Sequence, residues 1–148
     1  MPYIGYLHWV FTLGIYIGYL LTCNSVKADP EKIEAIIKMP KPTDVKGVQR
    51  FLGLVNYLTK FLGNLSDICE PIRRLTHKES AWEWTFEQDE AMKSIKKAVC
   101  NAPVLKFFNP KEETTLQCDS SQNGMGTVLM QKGQPVACTS RALTNAKK

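Results

Sequence analysis

Leu116-Gln117-Cys118-Asp119-Ser120-Ser121-Gln122-Asn123-Gly124-Met125-Gly126-Thr127-Val128-Leu129-Met130-Gln131 reads as two strands of alternating pattern joined by a polar, glycine-bearing turn. Asp119 ends the first strand, where a carboxylate can meet a metal ion. Residues 120–124 form a loop whose backbone can come close to a phosphate. A lone Asp in a Ser/Asn/Gly turn is ordinarily a turn former. The function therefore turns on whether Asp119 finds partners.

Downstream, Lys132-Gly133-Gln134 makes a hairpin turn into a further strand at residues 135–140, and Leu143-Thr144-Asn145-Ala146-Lys147 has the pattern of a helix beginning. Upstream, Asn101-Ala102-Pro103 separates these strands from a helical region, with one more strand expected at residues 104–108. Thr85-Phe86-Glu87-Gln88 is a capping box, followed by an apolar stripe of Ala91, Met92, Ile95, Ala98 and Val99. Acids load the first turn of that helix and Lys93, Lys96 and Lys97 its later part, matching the macrodipole at both ends. Trp82 and Trp84, at period two, predict a short extended piece with both indoles packed on one side.

Nearer the N-terminus, Asp29 caps a helix with Pro30 at its first position and an apolar face of Ile33, Ile36 and Ile37; Pro40 and Pro42 end it. Thr43 is expected to cap a longer helix reaching about Leu62, with Gly63 closing it. Its apolar stripe is Val45, Val48, Leu52, Val55 and Leu62, while Lys46, Arg50 and Lys60 fall largely elsewhere. Ser66-Asp67 opens another helical turn, and Pro71 allows a fresh start leading to the basic group Arg73, Arg74, His77 and Lys78.

The 148 residues, 44% of them apolar, suffice for one domain or two small ones, and disorder is excluded as the default. A net charge of +5 is compatible with phosphate-bearing partners without requiring them. Five dispersed cysteines with no CxxC pair, and two histidines, argue against a disulfide framework and a zinc site. Residues 3–23 carry no formal charge and reach the length of a membrane span. Their three glycines and many β-branched and aromatic residues suit strands better, and no basic region precedes them.

Gln117 to Gln131, with Pro135-Val136-Ala137-Cys138-Thr139-Ser140-Arg141-Ala142-Leu143-Thr144 after it, resembles the start of the ribonuclease H domain of gypsy-type (Ty3/gypsy) retrotransposon Pol polyproteins. Upstream segments agree in order: Tyr16-Ile17-Gly18-Tyr19-Leu20-Leu21-Thr22, Val26-Lys27-Ala28-Asp29-Pro30-Glu31-Lys32-Ile33, Phe51-Leu52-Gly53-Leu54-Val55-Asn56-Tyr57, Phe61-Leu62-Gly63-Asn64-Leu65-Ser66 and Ala102-Pro103-Val104-Leu105. The match departs from the family at Ser120, where Ala is common, at Tyr19, where His is usual, and at Asn24-Ser25, where a glycine-bearing turn is typical.

The resemblance implies an α+β fold class: a helical thumb and connection, followed by the first antiparallel strands of an incomplete ribonuclease H-like α/β fold. It implies three parts: residues 1–26, an apolar remnant of the polymerase palm; residues 27–101, the thumb and connection; and residues 102–148, a truncated ribonuclease H-like domain. The parent activity would be RNA-directed DNA synthesis and hydrolysis of RNA in RNA-DNA hybrids by two Mg2+ ions held by about four carboxylates. One of these matches Asp119. Glu112 and Glu113 precede the strand and match no family ligand, so neither metal binding nor activity is expected of this chain alone.

Expected partners are an RNA-DNA hybrid or duplex, held weakly through Arg73, Arg74, Lys78, Lys93, Lys96, Lys97, Ser120 and Asn123, and the rest of a Pol polyprotein; the expected location is intracellular, cytoplasmic or nuclear. Two other readings compete with a retroelement fragment. One is a non-catalytic nucleic-acid-binding module, and the other a small protein anchored to a membrane by residues 3–23.

Overall fold

A computed structural model describes residues 14–16, 18–78 and 80–143, in which a short antiparallel sheet precedes a helical core and a second sheet follows it. Strands β1 (Gly14–Tyr16), β2 (Tyr19–Leu21) and β3 (Ser25–Ala28) pair antiparallel in sequence order. Gly18, at φ 79°, supplies the left-handed residue between β1 and β2. These strands hold the described part of the apolar run. Residues 1–13 and 17 lie outside the described residues, among which no helix is long and apolar enough to cross a membrane.

Asp29 caps α1 (Pro30–Lys38) as its sequence position dictates, its carboxylate accepting from the Glu31 N–H at 2.9 Å. Of the expected apolar face, Ile36 is fully buried and Ile33 packs against the core, while Ile37 is exposed. Helix α2 (Val45–Asn56) is capped by Asp44 rather than Thr43: the Asp44 carboxylate accepts from Gly47 N–H at 2.6 Å. It also ends earlier than its apolar pattern suggested. At Asn56 the chain tightens into a 3-10 turn (Tyr57–Lys60) that carries Leu58 into the core, so Gly63 closes no helix.

Two short helices, α3 (Leu65–Ile68) and α4 (Glu70–Arg74), then lead to α5 (Phe86–Cys100), whose capping box forms as read. The Trp82 and Trp84 rings lie 6.3 Å apart, but only Trp84 packs against the core; Trp82 is exposed.

Phe51, Phe61, Ile36, Leu58, Ile72, Ile95, Val48, Val55 and Val99 are fully buried and knit the helices into one core. Truncating a buried phenylalanine such as Phe51 to alanine typically costs about 3–5 kcal/mol. Tyr57 ties this core to the first sheet. Its ring stacks on Tyr19 at 5.0 Å, and its hydroxyl accepts from Asp29 N–H and donates to the Gly18 carbonyl. Burial pushes the Tyr57 phenol above its ordinary range.

Beyond α5 the expected strand at 104–108 is only β4 (Leu105–Lys106). It pairs with β3, completing the sheet order β1-β2-β3-β4, and does not join the strands that follow. Leu105 is drawn into the helical core, leaving Val104, Phe107 and Phe108 exposed. Strands β5 (Thr114–Ser120), β6 (Gly124–Gln131) and β7 (Gln134–Ala142) form a separate antiparallel sheet in that order. Lys132 and Gly133, both at positive φ, make the β6–β7 turn in the mirror-image geometry that suits tight hairpins.

Strand β5 is exposed along its whole length. Gln131 is buried, and all its polar atoms are engaged: Nε2 donates to the carbonyls of Asn109 and Glu112 and to Thr114 Oγ1, and Oε1 accepts from Asn109 N–H. This pins the 109–114 connection to the end of β6.

Candidate functional site

Asp119 lies on β5 directly opposite Gly126 of β6. Opposed residues of an antiparallel pair project to the same face, so Asp119, Gln117, Gly126, Val128 and Gly124 share one side of the sheet. That side meets the helical core. A Cβ on Gly126 would lie 2.0 Å from the Gly63 carbonyl oxygen, and one on Gly124 would lie 2.7 Å from Asp67 Oδ1. Glycine at both positions lets the segment around Gly63 and α3 rest directly on the strand backbone. Ser140 of β7 adds a hydrogen bond, its Oγ accepting from Ser66 N–H at 2.9 Å.

Between these surfaces is a cleft of about 330 Å³ lined by Asp119, Gln117, Asn64, Asp67 and Val128, among others. Asp67 was not legible as a site residue, because 52 residues separate it from Asp119 and only the packing of α3 on β6 brings both carboxylates to one cleft. Its carboxylate already accepts from Ser121 Oγ at 2.5 Å, and Ser121 Oγ in turn accepts from Asn123 N–H and Gly124 N–H at 3.0 Å each. Asn123 thus belongs to a closed turn, its carbonyl accepting from Leu143 N–H. Ser120, opposite Met125, projects to the other face from Asp119.

Among the described residues no group of three or more His, Cys, Asp or Glu could hold a metal ion. Two carboxylates on one cleft fall short of the ligand set that a pair of Mg2+ ions needs, so the described residues do not by themselves complete a two-metal site. Glu112 serves a structural end: its carboxylate takes Lys106 Nζ at 2.5 Å, Asn109 Nδ2 at 3.0 Å and Lys132 Nζ at 3.3 Å.

The basic residues singled out from the sequence are largely engaged within the chain. Arg73 Nη1 donates to Glu70 Oε2 at 3.1 Å and to the Ser66 carbonyl at 3.2 Å; Arg74 pairs with Glu87. Lys93 pairs with Glu90 at 2.8 Å, and Lys96 Nζ donates to the Met39 carbonyl at 2.7 Å. Lys78 and Lys97 are exposed without an ion pair among the described residues. The structure presents a different cationic face on α2. There Lys46, Gln49 and Arg50 are exposed beside Asp44, neither cation has a carboxylate within ion-pair distance among the described residues, and Gly53 has open space where a Cβ would be. The signal was present in the sequence as an i, i+3, i+4, i+7 stripe opposite the apolar one.

Residues 84–148 match the family model of the RNase H-like domain found in reverse transcriptase. The match begins at Trp84, ahead of α5. The Tf2-3 and Tf2-4 transposon polyproteins of Schizosaccharomyces pombe are each 33% identical over 117 residues, which is 79% of this chain and 9% of each relative. The chain therefore spans about a tenth of the length of the curated relatives it matches. Among solved structures, the foamy viral protease-reverse transcriptase in complex with RNA/DNA hybrid superposes with a TM-score of 0.78 at 23% identity. The match covers 92% of this chain and 19% of that one. A dRH form of the same viral protein in complex with double-stranded DNA gives 0.74 at 24% identity, covering 89% and 24%. At these identities the structures share the fold.

Proposed function

We propose that this chain, as a segment of a gypsy-type retrotransposon Pol polyprotein that includes ribonuclease H-like sequence, holds duplex nucleic acid against α2 and contributes Asp119 to a nuclease centre completed by other carboxylates. One observation carries the binding part: Lys46 and Arg50 are unneutralised cations on one exposed helix face beside an unobstructed glycine. A cation already held by a carboxylate has part of its charge offset before it meets a phosphate, whereas Lys46 and Arg50 bring theirs in full. Gly53 lets the edge of a duplex approach the α2 backbone closely. The foamy viral neighbours are complexes with RNA/DNA hybrid and with double-stranded DNA, which supports nucleic acid as the partner class.

The test is the salt dependence of binding to an RNA-DNA hybrid duplex. Lys46→Gln combined with Arg50→Gln lowers the slope of log affinity against log salt by about two, since each phosphate contact contributes about 0.9. Lys93→Gln combined with Lys96→Gln leaves it nearly unchanged. A flat salt response of the unmodified chain would sink the reading.

A further inference from the structure

Between the end of α2, α3, α4 and β7 lies a cavity of about 300 Å³, separate from the Asp119 cleft, lined by Asn56, Thr59, Ser66, Cys69, Arg73 and Ser140 together with four other residues. Several of its polar groups have donors to spare. Arg73 uses both Nη1 protons, on Glu70 and on the Ser66 carbonyl, so Nε–H and the two protons of Nη2 have no acceptor among the described residues. Thr59 Oγ1 donates to the Asn56 backbone carbonyl at 2.7 Å and lies 3.2 Å from Asn56 Oδ1, and the Asn56 NH2 group has no acceptor among the described residues. Ser140 Oγ accepts from Ser66 N–H but donates to nothing described, and Ser66 Oγ makes no hydrogen bond among the described residues.

No residue lining the cavity is a carboxylate, and the one anion on these donors is Glu70, which holds Arg73 Nη1 at 3.1 Å from outside the lining. Burial pushes the Cys69 thiol up to about 11, so it stays neutral. Convergent N–H and O–H donors around one guanidinium are the chemistry of an oxyanion site, and arginine's planar fork matches two phosphate oxygens at once. We propose that this cavity seats a phosphate group through Arg73, Asn56, Ser66 and Ser140. Because Gly53 and Asn56 of α2 also line it, a backbone phosphodiester of a duplex lying on α2 is the expected source. That assignment of source rests on the proposed nucleic-acid reading; the phosphate chemistry does not.

Two arms separate these. Amide NMR of the full chain titrated with inorganic phosphate shows saturable shifts at Asn56, Ser66 and Ser140, lost in Arg73→Gln and in Asn56→Asp. The second variant keeps the exposed side chain's shape and the oxygen that Thr59 uses, so it guards against loss by unfolding. Absence of saturable shifts in the unmodified chain, or shifts that persist in both variants, overturns the proposal. In the second arm, Arg73→Gln lowers the salt slope of hybrid binding by up to about one, and Arg73→Lys restores the slope but not the affinity, because lysine lacks the planar fork. Phosphate shifts with an unchanged duplex slope support the site with free phosphate as its ligand. Phosphate shifts in a chain that binds no duplex support the site while removing the function proposed for α2.

Discussion

Glu112 shows how a carboxylate close to Asp119 in sequence can have a different role. Hydrogen bonding from Lys106, with further bonds from Asn109 and Lys132, holds its carboxyl down at about 2. A carboxyl with a depressed folded value adds stability in full above its ordinary value near 4.5, and that contribution disappears as pH falls through about 2. Thermal melting followed from about pH 5 to about pH 2 should therefore fall less steeply in Glu112→Gln than in the unmodified chain. Equal slopes would remove Glu112 from the acid sensitivity. Asp119 stands out in the sequence only through the family resemblance, since a lone Asp before a Ser/Asn/Gly loop is by itself a turn former. Asp67 does not stand out, since a lone Asp one residue after a serine is indistinguishable from a capping residue until α3 is seated on Gly124 and Gly126.

Among the elements, α5 was read most completely and β4 least, for physical reasons that differ. The start of α5 is decided within four residues: Thr85 Oγ1 accepts from Glu87 N–H, and Gln88 Oε1 accepts from Thr85 N–H at 3.0 Å. Local bonds of this kind are written in the sequence. Gln88 does something further that is not, since its Nε2 donates to the Pro71 carbonyl of α4 at 3.1 Å and the residue is buried. Thr85→Ala should cost about 1 kcal/mol in urea unfolding. Gln88→Ala should cost more, as it also strands the Pro71 carbonyl at a burial penalty of about 1–3 kcal/mol. A smaller loss for Gln88→Ala than for Thr85→Ala would contradict that contact. Strand β4 carries no information about its partner in its two residues; Leu105 follows the core, and its backbone pairs with β3 some eighty residues upstream. The end of α2 was missed because helical spacing continues through Leu58 and Phe61 whether the backbone is α or 3-10.

For the molecule as a whole, the buried apolar side chains run from Ala28 to Leu105, while β5 is exposed throughout and Leu116 and Met125 show apolar surface on the face of the second sheet opposite Asp119. With two carboxylates on its cleft and no larger ligand group among the described residues, the chain incubated alone with an RNA-DNA hybrid in Mg2+ should yield no cleavage that Asp119→Asn abolishes. Asp119-dependent cleavage would show that further residues of the chain complete a metal centre with it. The sequence by itself determined the family resemblance, the α+β class, the caps at Asp29 and Thr85, the β6–β7 hairpin and the place of Asp119 on the strand before it. Each of these depends on neighbours within a few residues, or on an ordered set of short segments. Tertiary structure alone decided which sheet β4 joins, that Asp67 shares the Asp119 cleft, and which cations remain unpaired. Arg74 and Lys93 are neutralised and Lys46 and Arg50 are not, because pairing requires a carboxylate within about 4 Å in space, and charge counted along a sequence says nothing of that distance.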